Sequence, residues 1–147
     1  RNAWPSPPAT LITAVDSSVL IDVFGADATH GERSRAALSA AYNVGSLIAC
    51  DIVWAEMRAH FVDDATFDAT MHEIGIEFSP LSAEAARLAG ALWQRQRSTS
   101  KAVKTRLVAD FLIGAHALTA ADVLLTRDRG FYRKWFSGLR INDPSAR

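Results

Sequence analysis

The chain has 147 residues, 49% hydrophobic and 22% charged, enough apolar content for one packed core of ordinary size, which excludes general disorder and leaves little room for a second domain. Its 16 basic and 16 acidic residues cancel to a formal net charge of zero, which excludes a uniformly basic nucleic-acid binder. Cys50 is the only cysteine, so an internal disulfide and a Cys-rich zinc site are excluded; it reads as a small buried hydrophobe in a cytoplasmic protein.

The opening RNAWPSPPAT carries Pro5, Pro7 and Pro8 and lacks the apolar core of a signal peptide. Residues 1–10 therefore read as an N-terminal extension or remnant, and residues 11–147 as the domain, expected to be soluble and unexported. No apolar stretch approaches the roughly 20 residues that span a bilayer.

LITAV at 11–15 reads as a strand stopped by Asp16, after which Ser17 or Ser18 can cap a short helix through Phe24 that ends at Gly25. Thr29–Asn43 has the alanine-rich composition of a helix closed by Gly45, and SLIAC at 46–50 reads as a second strand. Asp51 is placed to cap a helix holding Ile52, Val53, Met57 and Phe61, and Asp63 or Asp64 to cap another that runs to Gly75. IEFS at 76–79 makes a third strand. Ser82 and Glu84 open a long helix that frays near RSTS at 97–100.

Thr105–Ala121 is the next helix and is almost wholly apolar; DVLLT at 122–126 is a fourth strand, 129–136 a final helical turn or two, and 139–141 an edge strand. Strands separated by helices need crossover connections, so the fold class is α/β: a three-layer arrangement with a mainly parallel central sheet.

In such sheets ligands gather beyond the carboxyl ends of the strands. Asp16 and Asp128 both fall there, although in isolation the first also reads as a helix cap and the second as an Asx turn. Asp110 lies among Leu107, Val108, Phe111, Leu112 and Ile113, where a charge needs an arginine, a cation or water; Arg106 is the local candidate for an ion pair. Gly114, one turn on, suggests a shallow gap above that carboxylate. Glu56 lies beside the buried stripe of its helix, although alone it reads as a surface acid.

Four carboxylates on four elements, if brought together, could not all ionise without cations. Hard divalent ions with oxygen ligands remove that conflict, and a donor set without His or Cys points to Mg²⁺ or Mn²⁺ rather than zinc. The four histidines, His30, His60, His72 and His116, show no ligand-like spacing.

Charge is unevenly spread: eight acids and one base lie between Asp51 and Glu84, and six bases and no acid between Ala85 and Ala109. Arg95, Arg97, Lys101, Lys104 and Arg106 lead into the Asp110 helix, and Arg127 and Arg129 bracket Asp128, so phosphate-binding charge is expected to flank the crevice; a solvated charged loop is the alternative. Phe131, Tyr132 and Trp135 either stack bases or pack on the sheet, and Trp54 and Trp93 either join the core or meet a partner.

The segments AVDSSVLID at 14–22, IVWAEM at 52–57, RLVADFLIGAHAL at 106–118 and ADVLLTRDRGFYRKW at 121–135 resemble, in order and spacing, the PIN-domain family and within it the VapC-type toxins of bacterial toxin–antitoxin pairs. The resemblance spans roughly residues 12–143. It implies that the family's acids fall on Asp16, Glu56, Asp110 and Asp128, with Thr126 as the hydroxyl residue before the last of them. It further implies a three-layer α/β/α domain with about five parallel strands, homodimerisation, and an antitoxin whose tail blocks the acidic cleft. The linker RSTSKAVKT at 97–105 is less glycine-rich than in similar toxins, which bears on the choice of RNA.

The expected function is a Mg²⁺- or Mn²⁺-dependent endoribonuclease, the toxin of a toxin–antitoxin pair. In it Asp16, Glu56 and Asp110, assisted by Asp128, hold one or two ions that activate a water for attack on RNA phosphate. The rivals are a housekeeping RNA-processing nuclease of the same fold and a non-catalytic metal-binding module.

Overall fold

A computed structural model describes residues 10–99 and 106–146. Among them lie five strands, β1 (Leu11–Val15), β2 (Gly45–Ala49), β3 (Ile76–Phe78), β4 (Val123–Leu125) and β5 (Ile141–Asn142). The helices are α1 (Ser17–Phe24), α2 (Gly31–Val44), α3 (Asp51–Arg58), α4 (Asp64–Ile74), α5 (Ala83–Thr99), α6 (Val108–Ala120) and α7 (Arg129–Trp135). All strand pairs are parallel, in the order β3-β2-β1-β4-β5. The α/β/α fold expected from the sequence is the fold observed.

Consecutive residues of a strand face opposite sides of the sheet. Thr13 to Val15, Leu47 to Ala49 and Val123 to Leu125 are all buried, so both faces of the central strands are covered, as a parallel sheet requires. The chain runs outward from β1 through β2 to β3, then returns to the other side of β1 with β4 and β5. The strand order therefore reverses between β1 and β4, and there the carboxyl ends leave a crevice.

Several boundaries differ from the sequence reading for local reasons. α2 begins at Gly31 rather than Thr29, because the Asp27 carboxylate accepts from the backbone N–H of Thr29 and His30, at 3.1 and 2.7 Å, and holds that stretch as a turn. α3 ends at Arg58, short of Phe61, where the Arg58 guanidinium donates to the Phe61 carbonyl. Asp63 rather than Asp64 caps α4, accepting from Thr66 N at 2.8 Å, and Gly75 ends it with φ +84°, the left-handed cap that glycine adopts without strain. α6 starts at Val108; the expected start at Thr105 lies outside the described residues.

α6 and α7 meet through aromatic rings. Phe111 packs edge-on against Phe131 and Trp135, with centroids 5.1 and 5.5 Å apart, and Phe136 leans on both Phe111 and Tyr132. A Cβ at Gly114 would lie 2.3 Å from the Phe136 ring. The gap expected above Asp110 is thus filled by Phe136, and Gly114 serves helix packing rather than ligand approach.

Candidate functional site

Asp16 leaves the end of β1, where its backbone N–H continues the sheet by donating to Leu125 O at 2.9 Å. It occupies the N-cap position of α1 but caps nothing with its side chain. The carboxylate points instead across the switch between strands: Thr126 Oγ1 donates to its Oδ2 at 2.7 Å and Ser18 Oγ to the same oxygen at 3.2 Å. The backbone N–H of Ser17 also interacts with this carboxylate. Burial is the main force raising the Asp16 pKa to about 6, with the Asp110 charge adding to it and the two hydroxyls opposing.

Thr126 is itself fully buried at the end of β4, and its Oγ1 accepts from Asp128 N at 3.0 Å, so one hydroxyl orders both acids of the crevice. Asp128 stands at the N-cap position of α7, also without capping it. Its carboxylate pairs with Arg106, whose guanidinium lies 3.4 Å from Asp110 Oδ2 as well. Burial raises the Asp110 pKa; Arg106 pulls it down and Asp128 pushes it further up. Glu56 is exposed on α3 and tied to the start of α1, accepting from Ser17 Oγ at 2.5 Å.

Asp16, Asp110 and Asp128 therefore influence one another, with Glu56 one hydrogen bond away through Ser17. Among the described residues, however, no three or more of His, Cys, Asp and Glu stand close enough together to hold a metal ion as they are. Arg106 bridges Asp110 and Asp128 as an internal cation. The donor chemistry nonetheless fits a hard divalent ion: carboxylate oxygens only, one of them on the buried Asp16, and a buried hydroxyl without a partner at Tyr132.

The basic residues singled out in the sequence have diverse places. Gln96, buried on α5, clasps the Arg106 backbone with both ends of its amide at 3.1 Å, and the Arg106 guanidinium lies over Phe131 at 4.4 Å. Arg127 is engaged inside the protein, with Nε and Nη2 donating to buried Asp22 at 2.5 and 2.9 Å while Ser34 Oγ donates to the same carboxylate at 2.8 Å. Arg129 faces Asp143 at 3.7 Å. Arg95 and Arg97 are exposed, over the rings of Trp135 and Trp93. Lys101 and Lys104 lie outside the described residues.

Phe131 and Tyr132 are core residues. His116 is buried with Nε2 2.9 Å from Ser79 Oγ, a tie between α6 and the end of β3. Sequence reading missed Ser17, Ser18, Asp22 and Gln96. Serines just after a strand-end acid read locally as helix caps, while Asp22 and Gln96 carry no local signal, since their partners are remote in sequence.

The profile of the PIN domain matches residues 13–136, the stretch that carries all four acids and Thr126. The chain belongs to the PIN-domain family. PIN domains are nucleases that generally use divalent metals. Among solved structures, this PIN domain is similar to a chain of VapBC2 from Rickettsia felis bound to a DNA fragment from their promoter, with 15% identity, TM-score 0.67, and coverage of 90% of this chain and 98% of that one. It is also similar to a chain of a toxin–antitoxin complex from Klebsiella pneumoniae, with 20% identity, TM-score 0.65, and coverage of 92% and 99%. VapBC-1 from nontypeable Haemophilus influenzae gives 13% identity, TM-score 0.67, and coverage of 92% and 100%. At these identities the likeness is one of fold. No curated protein matches the chain in sequence. No helix among the described residues is long and apolar enough to cross a membrane.

Proposed function

We propose that this PIN domain is the toxin of a toxin–antitoxin pair, an endoribonuclease that cuts RNA phosphodiester bonds at a Mg²⁺ or Mn²⁺ site built on Asp16, Glu56, Asp110 and Asp128. The observation that carries the reading is Asp16: a buried carboxylate at the switch between strands, raised to a pKa of about 6 and with one oxygen fixed by two hydroxyls. A helix cap needs neither this burial nor these two hydroxyls, whereas a buried, oriented carboxylate suits a hard cation that can offset its charge.

A divalent cation held there supplies Lewis acidity, lowering the pKa of a water and offsetting the charge that builds on the phosphate. The protein's part is positioning. Thr126 orients Asp16 and the backbone of Asp128, and Ser17, next to Asp16 in the chain, hydrogen-bonds Glu56. Arg106 is the cation nearest the acids and the one best placed to take a phosphate oxygen, with Arg95 and Arg97 extending a basic rim to which Lys101 and Lys104 belong in sequence. Arg127 and Arg129 act by fixing the loop around Asp128 through Asp22 and Asp143.

An antitoxin partner is supported by the VapBC and FitAB complexes among the similar folds. We assign a homodimer, a cytoplasmic location and RNA as substrate on the same family grounds. The test is calorimetric titration with Mn²⁺ beside cleavage of labelled RNA by wild type and Asp16→Asn. Mn²⁺ uptake and cleavage by the wild type, both lost in the variant, are expected. Cleavage that survives the substitution at full rate overturns the reading.

A further inference from the structure

Tyr132 lies on α7 with 1% of its surface exposed, its ring 5.0 Å centroid to centroid from Phe131 and 6.2 Å from Phe136. Its hydroxyl is the one buried side-chain polar atom among the described residues with no hydrogen-bond partner. Leaving such a group unpaired costs about 1–3 kcal/mol. Phenylalanine would supply the same packing at no such cost, as Phe131 and Phe136 do beside it, so ring packing does not account for the oxygen.

Its surroundings do. Helical side chains lean back toward the N-terminus over the preceding turn, and Tyr132 follows Asp128, at the N-cap position of α7, by one turn. The acids whose charge reaches the phenol are Asp16, Asp110 and Asp128, all members of the carboxylate cluster. Burial first, and those three charges next, hold its pKa well above the ordinary value, so the oxygen keeps its proton and is a donor. Of the carboxylate oxygens in this cluster, Asp16 Oδ2 is engaged by Thr126 and Ser18, and Asp110 Oδ2 and Asp128 Oδ2 by Arg106.

We propose that Tyr132 is a positioning residue of the metal site, its buried hydroxyl donating to one carboxylate of the Asp16–Asp110–Asp128 cluster in the cation-loaded protein and holding it in ligating orientation. This rests on the reading of that cluster as a divalent-cation site. Carboxylate ligands are themselves held by hydrogen bonds, and loss of such a partner weakens metal affinity by about 10–100-fold.

The experiment compares wild type with Tyr132→Phe, using Mn²⁺ calorimetry and thermal melts in chelator, with Thr126→Val as a second variant. The hydroxyl has no partner in the cation-free fold, so Tyr132→Phe is expected to melt in chelator at the wild-type temperature or above. Its Mn²⁺ affinity is expected to fall about tenfold, equivalent to 1.4 kcal/mol. A purely structural tyrosine gives the reverse, a lower melting temperature in chelator with unchanged Mn²⁺ affinity, and that overturns the proposal. Equal affinity for Tyr132→Phe and wild type overturns it too, even where Thr126→Val binds more weakly. Failure of the wild type to take up Mn²⁺ is a different result, which removes the metal-site reading together with the role of Tyr132.

Discussion

Asp16→Asn separates the two duties of this carboxylate, because a residue that serves a cation is a burden to the cation-free fold. In the folded chain its pKa rises from 3.8 to about 6, chiefly through burial. The folded state therefore holds a proton that the unfolded state releases between those two values, and stability must fall as pH rises through that window. At about 1.4 kcal/mol for each tenfold change in proton affinity, the full effect is about 3 kcal/mol above pH 6 and absent below about pH 4.

Asparagine keeps an oxygen for the Thr126 hydroxyl but carries no charge. In chelator the variant should match wild type near pH 4 and exceed it by about 3 kcal/mol near pH 7, roughly 6–12 °C in melting temperature for a domain of this size. Urea unfolding followed by circular dichroism from pH 4 to 8 provides the curves. Mn²⁺ at 100 times its Kd should then return about 2.7 kcal/mol to wild type and nothing to the variant. A difference between the two proteins that stays constant across the pH range would refute the account of Asp16 as a strained, buried acid.

Thr126→Val removes the donor to Asp16 and the acceptor for Asp128 N, so it should lower stability by about 1–3 kcal/mol in urea titration and RNA cleavage by at least about tenfold. Gly114→Ala drives a methyl into the Phe136 ring and should cost about 1–3 kcal/mol, with Phe136→Leu restoring part of the loss in the double variant. Asp22→Asn leaves Arg127 without its carboxylate; because the arginine is partly exposed, the expected loss is about 2 kcal/mol, seen as a lower urea midpoint, with cleavage falling as the loop around Asp128 loosens.

The α/β/α architecture with its parallel sheet was within reach of sequence reasoning because alternating apolar runs and helices leave local marks, and the candidate acids were singled out by marks of the same kind. An apolar run broken by an acid marks Asp16, and a lone acid in an apolar helix marks Asp110. Side-chain partnerships across the fold leave none. The gap read above Asp110 closes because α7 returns to lay Phe136 on Gly114, a contact that helical spacing within α6 cannot reveal. Arg127 looks like a phosphate ligand until Asp22, 105 residues earlier, is brought beside it. The turn at 27–30 was missed because the alanine-rich run after it has helical propensity, while the Asp27 carboxylate competes for the first backbone N–H groups.

Asp16 and Thr126 are joined by one hydrogen bond across 110 residues of chain. A growing polypeptide has its first acid just past the opening strand, yet it cannot orient that acid through Thr126 until β4 has been synthesised and has docked alongside. Any activity that depends on this pairing therefore waits until nearly the whole domain has emerged from the ribosome.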